Sequence, residues 1–352
     1  MRRHVFTVDV HTQGEPTRVV VGGLPHVPGA DMVEKRRYLM DNMDHLRTAL
    51  LHEPRGHNDM FGSILFPPTT SEAHLGVVFM DSGGYLNMCG HGLIGAVTAA
   101  VETGIIEACG ENFEITMETP AGLISCEVAV QDDRVESVSF TNVPAFVYAE
   151  QAPVKVPLST LKEAGCANAD QLNQWGEEAT IHVDVAFGGS FFGIVSAQEC
   201  GIKLCSENAT KLIKLGVDLR HLINEQLQVQ HPELEHINSV DLVEFSVELS
   251  EEERAYKNAT IFGEGQLDRS PCGTGTCAKM AVLYQQGKLQ LEETFKHDSI
   301  LDTRFYGKVL SEAGVNGYSA IIPEITSYAY ITGFNQLVLD ERDPLWKGFR
   351  IK

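Results

Sequence analysis

The chain is poor in positive charge. Its 352 residues carry 27 lysines and arginines against 48 aspartates and glutamates, which gives a formal net charge of −21. A protein that binds nucleic acid or an anionic membrane surface needs a basic surface to do so. We therefore expect neither as a partner, and a small-molecule substrate fits this composition better.

Long apolar runs and close-set cysteine pairs are also missing. No stretch stays apolar for the roughly 20 residues of a membrane span, and Thr7 and Asp9 interrupt the apolar start that a secretory signal would need. Eight cysteines lie scattered along the chain. This usage favours free thiols in a reducing compartment over a disulfide framework, so we expect a cytoplasmic protein.

The patterning that is present predicts a mixed α/β chain of about two domains. Apolar residues at helical spacing predict helices at 31–52, with Asp31 as N-cap, and at 206–229. Short β-branched or alternating runs predict strands at 17–21, 75–80 and 240–249. The acidic, weakly patterned stretch 148–178 predicts a domain boundary there or slightly before it.

Two short segments are copies of each other. CGHG (89–92) and CGTG (272–275) lie 183 residues apart, and the same interval relates Phe79 to Phe262 and Gly104 to Gly287. Each copy reads as a strand, a turn, the Cys-Gly-X-Gly motif and a helix, over 79–100 and 262–285. The repeat predicts two similarly built halves.

The first turn of a helix has N–H groups without intrahelical partners and a positive dipole end. A carboxylate can bind there, and a thiol can lose its proton more easily. A thiolate on one face of an amino acid could remove the α-hydrogen while a thiol on the other face returns one. Two such groups indicate a racemase that needs no cofactor.

Other interpretations of these residues stay open. His91 is either a substrate contact or a buried core histidine, and Asp268 either binds an ammonium group or stabilises a turn. The cysteines could belong to a thiol redox or metal-binding protein, or to a non-catalytic amino-acid-binding protein. Neither Cys89 with His91 nor Cys272 with Cys277 has the spacing of common zinc sites, so we expect no metal.

The chain resembles the proline racemase family over nearly its whole length. The segments that carry the resemblance are HTQGEPTRVVVGG (11–23), EPRGHNDMFGS (53–63), MDSGGYLNMCGHG (80–92), FGGSFF (187–192), IFGEGQLDRSPCGTGT (261–276) and ITGFNQLVLDERDPL (331–345).

The resemblance implies an α/β (α+β) architecture of the diaminopimelate-epimerase-like fold. Two pseudo-symmetric domains, each a curved β-sheet wrapped around a central helix, would have the active site between them. We expect the first domain at 1–130 plus 331–352 and the second at 131–330. The resemblance also implies a homodimer without a cofactor.

The resemblance further assigns individual residues. Cys89 and Cys272 would be the two acid/base groups of a racemase that interconverts L- and D-proline. The substrate carboxylate would be surrounded by Gly90, His91, Gly273 and Thr274. Asp268, with His91, would hold the ring nitrogen.

Three phenylalanines bear on whether the substrate is proline or 4-hydroxyproline. Phe61, Phe79 and Phe262 match the apolar pocket of the proline-specific members, and an apolar wall leaves a substrate hydroxyl unsatisfied. A 4-hydroxyproline 2-epimerase is the alternative; the trans-3-hydroxyproline dehydratases of the family typically lack one or both cysteines.

Cys277 stands where the family usually has serine. Five residues after Cys272 is about 140° around a helix, so we expect its thiol to face away from the site.

Overall fold

A computed structural model describes residues 2–166 and 177–351 of the chain. Its contacts divide the protein into two units, Met1–Phe140 with Thr326–Lys352, and Thr141–Ile325. Both units combine strands with helices, which confirms the predicted α/β class. In the described residues, no helix has both the length and the apolar character to cross a membrane.

The described residues of the first unit form two helices and nine strands. They are β1 (Arg2–Thr12), β2 (Glu15–Gly22), α1 (Met32–Leu51), β3 (Phe61–Phe66), β4 (Leu75–Met80), β5 (Tyr85–Leu86), α2 (Gly90–Glu102), β6 (Asn112–Thr119), β7 (Gly122–Gln131), β8 (Arg134–Thr141) and, from the end of the chain, the strand Ala329–Asp340. That last strand, β18 in chain order, pairs antiparallel with β1.

The remaining elements are formed by the described residues of the second unit, 141–166 and 177–325. They are β9 (Ala145–Pro157), α3 (Leu158–Glu163), β10 (Glu178–Phe187), β11 (Phe191–Ser196), α4 (Ala197–Cys200), a 3₁₀ turn (Ser206–Asn208), α5 (Ala209–Gln226), β12 (Leu242–Ser250), β13 (Ala255–Phe262), β14 (Gln266–Leu267), α6 (Gly273–Gln285), β15 (Thr294–Asp298), β16 (Arg304–Val315) and β17 (Tyr318–Ser327).

The same pairing pattern occurs in both units. In the first, β1–β2 is antiparallel, β2–β3 parallel, β3–β4 antiparallel, β4–β6 parallel and β6–β7 antiparallel. In the second, β10–β11, β11–β12, β12–β13, β13–β15 and β15–β16 follow this order of orientations. The repeat seen in the cysteine motifs therefore extends to the topology of each unit.

Each unit is built around one buried helix. Helices α2 and α6 are both 13 residues long and begin directly after a cysteine. Their apolar residues leave no continuous polar face, so α2 packs against β1, β2, β3 and β18, and α6 against β9, β10, β11 and β16. Gly104 and Gly287 follow the two helices with φ of +72° and +71°, a left-handed conformation that ends a helix and favours glycine.

The elements predicted from periodicity are present. Helix α1 begins after Asp31, whose side chain accepts a hydrogen bond from the Glu34 amide at 2.7 Å. Met40 was among the apolar residues at helical spacing that predicted this helix, but it is 45% exposed because it lies off the buried face. Helix α5 begins at Ala209, later than predicted, because Ser206–Asn208 forms the 3₁₀ turn.

Candidate active site

Cys89 is the residue before helix α2 and has extended backbone, with φ −152° and ψ 125°. Its thiol is half-buried, and Sγ lies 3.2 Å from Nδ1 of His91. The two side chains meet because Cys89 caps the helix and His91 lies in its first turn. A histidine at this distance can exchange a proton with the sulfur.

The aromatic ring of Phe61 packs against the imidazole of His91. The Phe61 ring meets the imidazole edge-on with centroids 4.4 Å apart, and Phe79 packs on Phe61 at 6.4 Å. Thr12 donates a hydrogen bond to the His91 carbonyl at 2.9 Å. Phe79 is completely buried and Phe61 nearly so. In this arrangement Phe79 supports Phe61, and Phe61 supports His91.

Cys272 occupies the same position before helix α6, but its backbone is different. It has φ +62° and ψ 111°, in the left-handed half of the map that residues with a side chain rarely adopt. Such a conformation persists only where the surroundings hold it. Here the Cys272 amide donates to Ser270 Oγ at 3.1 Å, and the Cys272 carbonyl accepts from the amide and hydroxyl of Thr276 at 2.8 and 2.7 Å.

Asp268 anchors the segment that leads to this cysteine. Its Oδ1 accepts hydrogen bonds from the amide and the hydroxyl of Ser270, both at 2.8 Å. Ser270 Oγ in turn accepts from the Cys272 amide. Asp268 is 4% exposed, and its own amide donates to the Thr260 carbonyl. The carboxylate thus orients Cys272 through one intermediate side chain.

The environment of Cys272 opposes its ionisation. Burial raises the pKa of this thiol well above its ordinary value, and the negative charge of Asp268 raises it further. The amide of Gly275 and the hydroxyl of Thr274, whose Oγ1 lies 3.8 Å from Sγ, act in the opposite direction but do not prevail. The expectation that a helix start makes this thiol more acidic was therefore wrong for Cys272, because burial outweighs the helix end.

Three of the remaining predicted residues follow the two cysteines directly in the chain, and the fourth, Phe262, lies on a strand. Gly90 and Gly273 are the first residues of α2 and α6, and Thr274 is the second residue of α6. Phe262 ends strand β13 and is half-buried, so it keeps accessible surface that Phe79 lacks.

Cys277 points to a different group. It is fully buried, and its sulfur accepts a hydrogen bond from the Asn142 side chain at 3.2 Å. Burial raises the pKa of Cys277 to about 12. What separates Cys277 from Cys272 is its contact, since the Cys272 sulfur lies near Thr274 in the first turn of α6. All eight cysteines are free thiols, as predicted.

Sequence reasoning missed the residues that support the cysteines. Ser270 and Thr276 hold the Cys272 peptide, and Thr12 holds the His91 carbonyl. Ser270 and Thr276 lie within the segment 261–276, but hydroxyl groups occur in many turns and nothing in the local sequence distinguished these two. Thr12 comes from a strand far away in the chain, so only the fold reveals its contact.

Comparison with known proteins identifies the relatives of this arrangement. The family profile described as proline racemase matches residues 7–350. The chain belongs to the proline racemase family. A proline racemase from Acetoanaerobium sticklandii is 53% identical over 347 residues, which cover 99% of this chain and 98% of that protein. A proline racemase from Clostridioides difficile is 49% identical and covers 99% of both chains.

A solved structure supports the same family membership. A hydroxyproline epimerase from Agrobacterium vitis, crystallised with trans-4-hydroxy-L-proline, matches with a TM-score of 0.85 and 31% sequence identity. The match covers 100% of this chain and 97% of that one. The resemblance to this family and the predicted fold class are confirmed.

Proposed function

We propose that this protein is an amino-acid racemase that interconverts L- and D-proline. The observation that carries the proposal is the duplicated helix start, with a cysteine directly before each buried central helix. A racemase needs one proton acceptor and one proton donor on opposite faces of the α-carbon. The high identity to two proline racemases makes proline the substrate that fits best.

The helix starts provide carboxylate binding in this proposal. The amides of Gly90 and His91 in one unit, and of Gly273 and Thr274 in the other, belong to first turns whose N–H groups have no intrahelical acceptor. Such groups and the positive dipole end stabilise an anion. We assign the substrate carboxylate to them, with Asp268 and His91 holding the ring nitrogen.

The two cysteines take complementary parts in each turnover. The thiolate of Cys89 removes the α-hydrogen, which forms its S–H bond and leaves the electron pair on the substrate carbon. The thiol of Cys272 then protonates the opposite face and becomes the thiolate. In the reverse direction the roles exchange, and no electron acceptor is required.

The environments of the two thiols support this starting state. Cys272 is 6% exposed and keeps its proton because burial disfavours the thiolate. Cys89 is more exposed and has the His91 imidazole within 3.2 Å to take up its proton. We therefore assign Cys272 as the proton donor and Cys89 as the base in the substrate-free protein.

The apolar side of the proposed pocket favours proline over 4-hydroxyproline. We assign Phe262, which is half-buried, to this side together with Phe61 and Phe79, which are buried in the core of the first unit. A hydroxyl group placed against a phenyl ring loses its hydrogen bonds to water without replacement, at a cost of about 1–3 kcal/mol.

Three further properties are part of the proposal. The reaction scheme uses protein thiols alone, so we propose that no cofactor takes part. The free thiols favour a reducing compartment such as the cytoplasm. A homodimer is proposed from the family resemblance, and sedimentation analysis tests it.

A chiral assay tests the assignment. L-proline and trans-4-hydroxy-L-proline are incubated with the protein side by side, and the products are separated on a chiral column. Racemisation of proline at the higher kcat/KM supports the proposal. Faster epimerisation of hydroxyproline would assign the protein to the other activity.

A further inference from the structure

Phe61 and Glu244 occupy matching places in the two units. They are 183 residues apart, the interval that also separates Gly92 from Gly275. A Cβ atom at Gly92 would lie 2.7 Å from the Phe61 ring, and one at Gly275 would lie 2.7 Å from Oε2 of Glu244. Where the first unit has a phenyl ring under its helix start, the second has a carboxyl group.

Glu244 is completely buried beneath the first turn of helix α6. Its Oε1 lies 3.7 Å from Nε2 of His297, and Nδ1 of His297 lies 3.0 Å from the Thr276 hydroxyl. Thr276 donates that hydroxyl proton to the carbonyl of Cys272. The separation between Glu244 and His297 is too long for a hydrogen bond, so the connected groups are His297, Thr276 and the Cys272 peptide, and the Glu244 carboxyl group is buried beside them.

The tautomer of His297 follows from this arrangement. Because Thr276 gives its one hydroxyl proton to Cys272, Nδ1 of His297 must donate to Thr276, which leaves a lone pair on Nε2 facing Glu244. Burial lowers the pKa of His297 to about 3, so the ring is neutral. The carboxyl oxygens of Glu244 make no hydrogen bond to Nε2 of His297, so the ionisation of Glu244 is set by burial and by the charges around it.

The charges around Glu244 come from several elements. Lys279 of α6 and Asn258 of β13 favour its ionised form, but burial is the larger influence and raises its pKa. Lys279 itself lies 4.9 Å over the ring of Tyr256. Its other charged neighbours are Asp184, Glu248 and Lys288. Burial therefore favours the neutral form of Glu244, and the carboxylate forms as the pH rises into the alkaline range.

We propose that Glu244, which is buried against Gly275 beside Cys272, controls the acidity of that cysteine: its neutral acid adds no charge near the thiol, and its carboxylate disfavours the Cys272 thiolate. The inference rests on the proposed function only for the importance of Cys272. The relation between the two side chains follows from the geometry alone.

Site-resolved alkylation tests this proposal without depending on turnover. Wild-type protein and Glu244→Gln are treated with iodoacetamide from about pH 6 to about pH 10, and mass spectrometry gives the rate at each cysteine. The two proteins should react equally at Cys272 near neutral pH. In the alkaline range the variant should react faster by roughly threefold or more, since a tenfold change corresponds to one pKa unit. Rates at Cys89 should stay equal throughout.

Glu248→Gln is the matched control, because it removes the same charge from an exposed position on the same strand and should leave the Cys272 profile unchanged. If Glu244→Gln fails to fold, as judged by thermal melting, Glu244→Met supplies a second neutral replacement of similar length. Equal profiles for wild type and the folded Glu244 variant would overturn the proposal, as would an equal effect of Glu248→Gln. A shifted profile in a protein without racemase activity would keep this proposal and reject the proposed function.

Discussion

Cys89 and Cys272 begin helices of equal length but have different backbones, with φ of −152° at the first and +62° at the second. The second conformation is strained for a residue with a side chain. Hydrogen bonds from Thr276 and to Ser270 hold it on both sides. The duplicated motif has thus produced one half-exposed thiol beside a histidine and one rigid, buried thiol.

Replacing either cysteine should abolish racemisation. Cys89→Ala removes the proposed base and Cys272→Ala the proposed donor, so each should lower kcat by at least about a thousandfold with little change in melting temperature. Chiral chromatography of the products measures the loss. Cys277→Ser is the control and should stay close to wild type, because its thiol faces Asn142.

Near-wild-type activity in either alanine variant would contradict the assignment of two acid/base cysteines. A comparable loss in Cys277→Ser would show that the third thiol takes part as well.

Alanine substitutions at two pairs of glycines should separate an effect on activity from an effect on stability. Gly92→Ala and Gly275→Ala place a Cβ 2.7 Å from Phe61 and from Glu244, respectively, so both should displace the first helical turn and lower kcat/KM at least roughly tenfold. Gly104→Ala and Gly287→Ala lie in open space at positive φ. They should cost about 1–2 kcal/mol of stability and leave kcat unchanged. Equal effects on kcat/KM in both pairs would contradict this account.

His297 should make the protein sensitive to acid. Burial lowers the pKa of His297 in the folded state from 6.5 to about 3. At pH values between these two, the unfolded state therefore binds one more proton than the folded state. The contribution of the neutral ring to stability is therefore fully present above the pKa of the unfolded state and is lost as the pH falls below it. The free energy of unfolding should fall by about 1.4 kcal/mol per pH unit more in the wild type than in His297→Asn.

Denaturant titrations at several values between about pH 6 and pH 4 measure this difference. His221→Asn, an exposed position on α5, is the control and should keep the wild-type slope. Parallel slopes for wild type and His297→Asn would show that the buried ring takes up its proton without cost.

Phe262→Ser should relax the preference for proline. The phenyl ring at the end of β13 is half-buried, and a serine would offer a hydrogen bond to a hydroxylated substrate. The ratio of kcat/KM for proline to that for 4-hydroxyproline should fall by roughly tenfold or more. Phe79→Ser should instead destabilise the protein, because Phe79 is completely buried. An unchanged ratio in Phe262→Ser would remove this residue from the pocket.

Local signals in the sequence predicted much of this structure. The Asp31 cap, the strand at 75–80 and the two helix starts depend on neighbouring residues, and these predictions are confirmed. Phe61 and Glu244 are also separated by 183 residues. The sequence alone did not show that this match matters, because it depends on Gly92 and Gly275 lying against these two side chains.

The acidity of Cys272 could not be predicted in the same way. A helix start favours a thiolate, but burial and the nearby carboxyl groups decide the outcome. Glu244 approaches the start of α6 from strand β12, and His297 contacts Thr276 from strand β15; both strands are distant in sequence. Propensity and spacing describe a residue's neighbours along the chain, whereas the pKa depends on its neighbours in space.

Hydrogen exchange at the substrate α-carbon tests the central claim most directly. L-proline is incubated with the protein in deuterated water, and conversion is kept low. With a different thiol on each face, the D-proline that forms should carry deuterium at the α-carbon, because the donating thiol has exchanged with solvent, while the remaining L-proline stays largely protiated. Protiated D-proline would mean that a single base returns the hydrogen it removed, and would contradict the account in which Cys89 and Cys272 act as a pair.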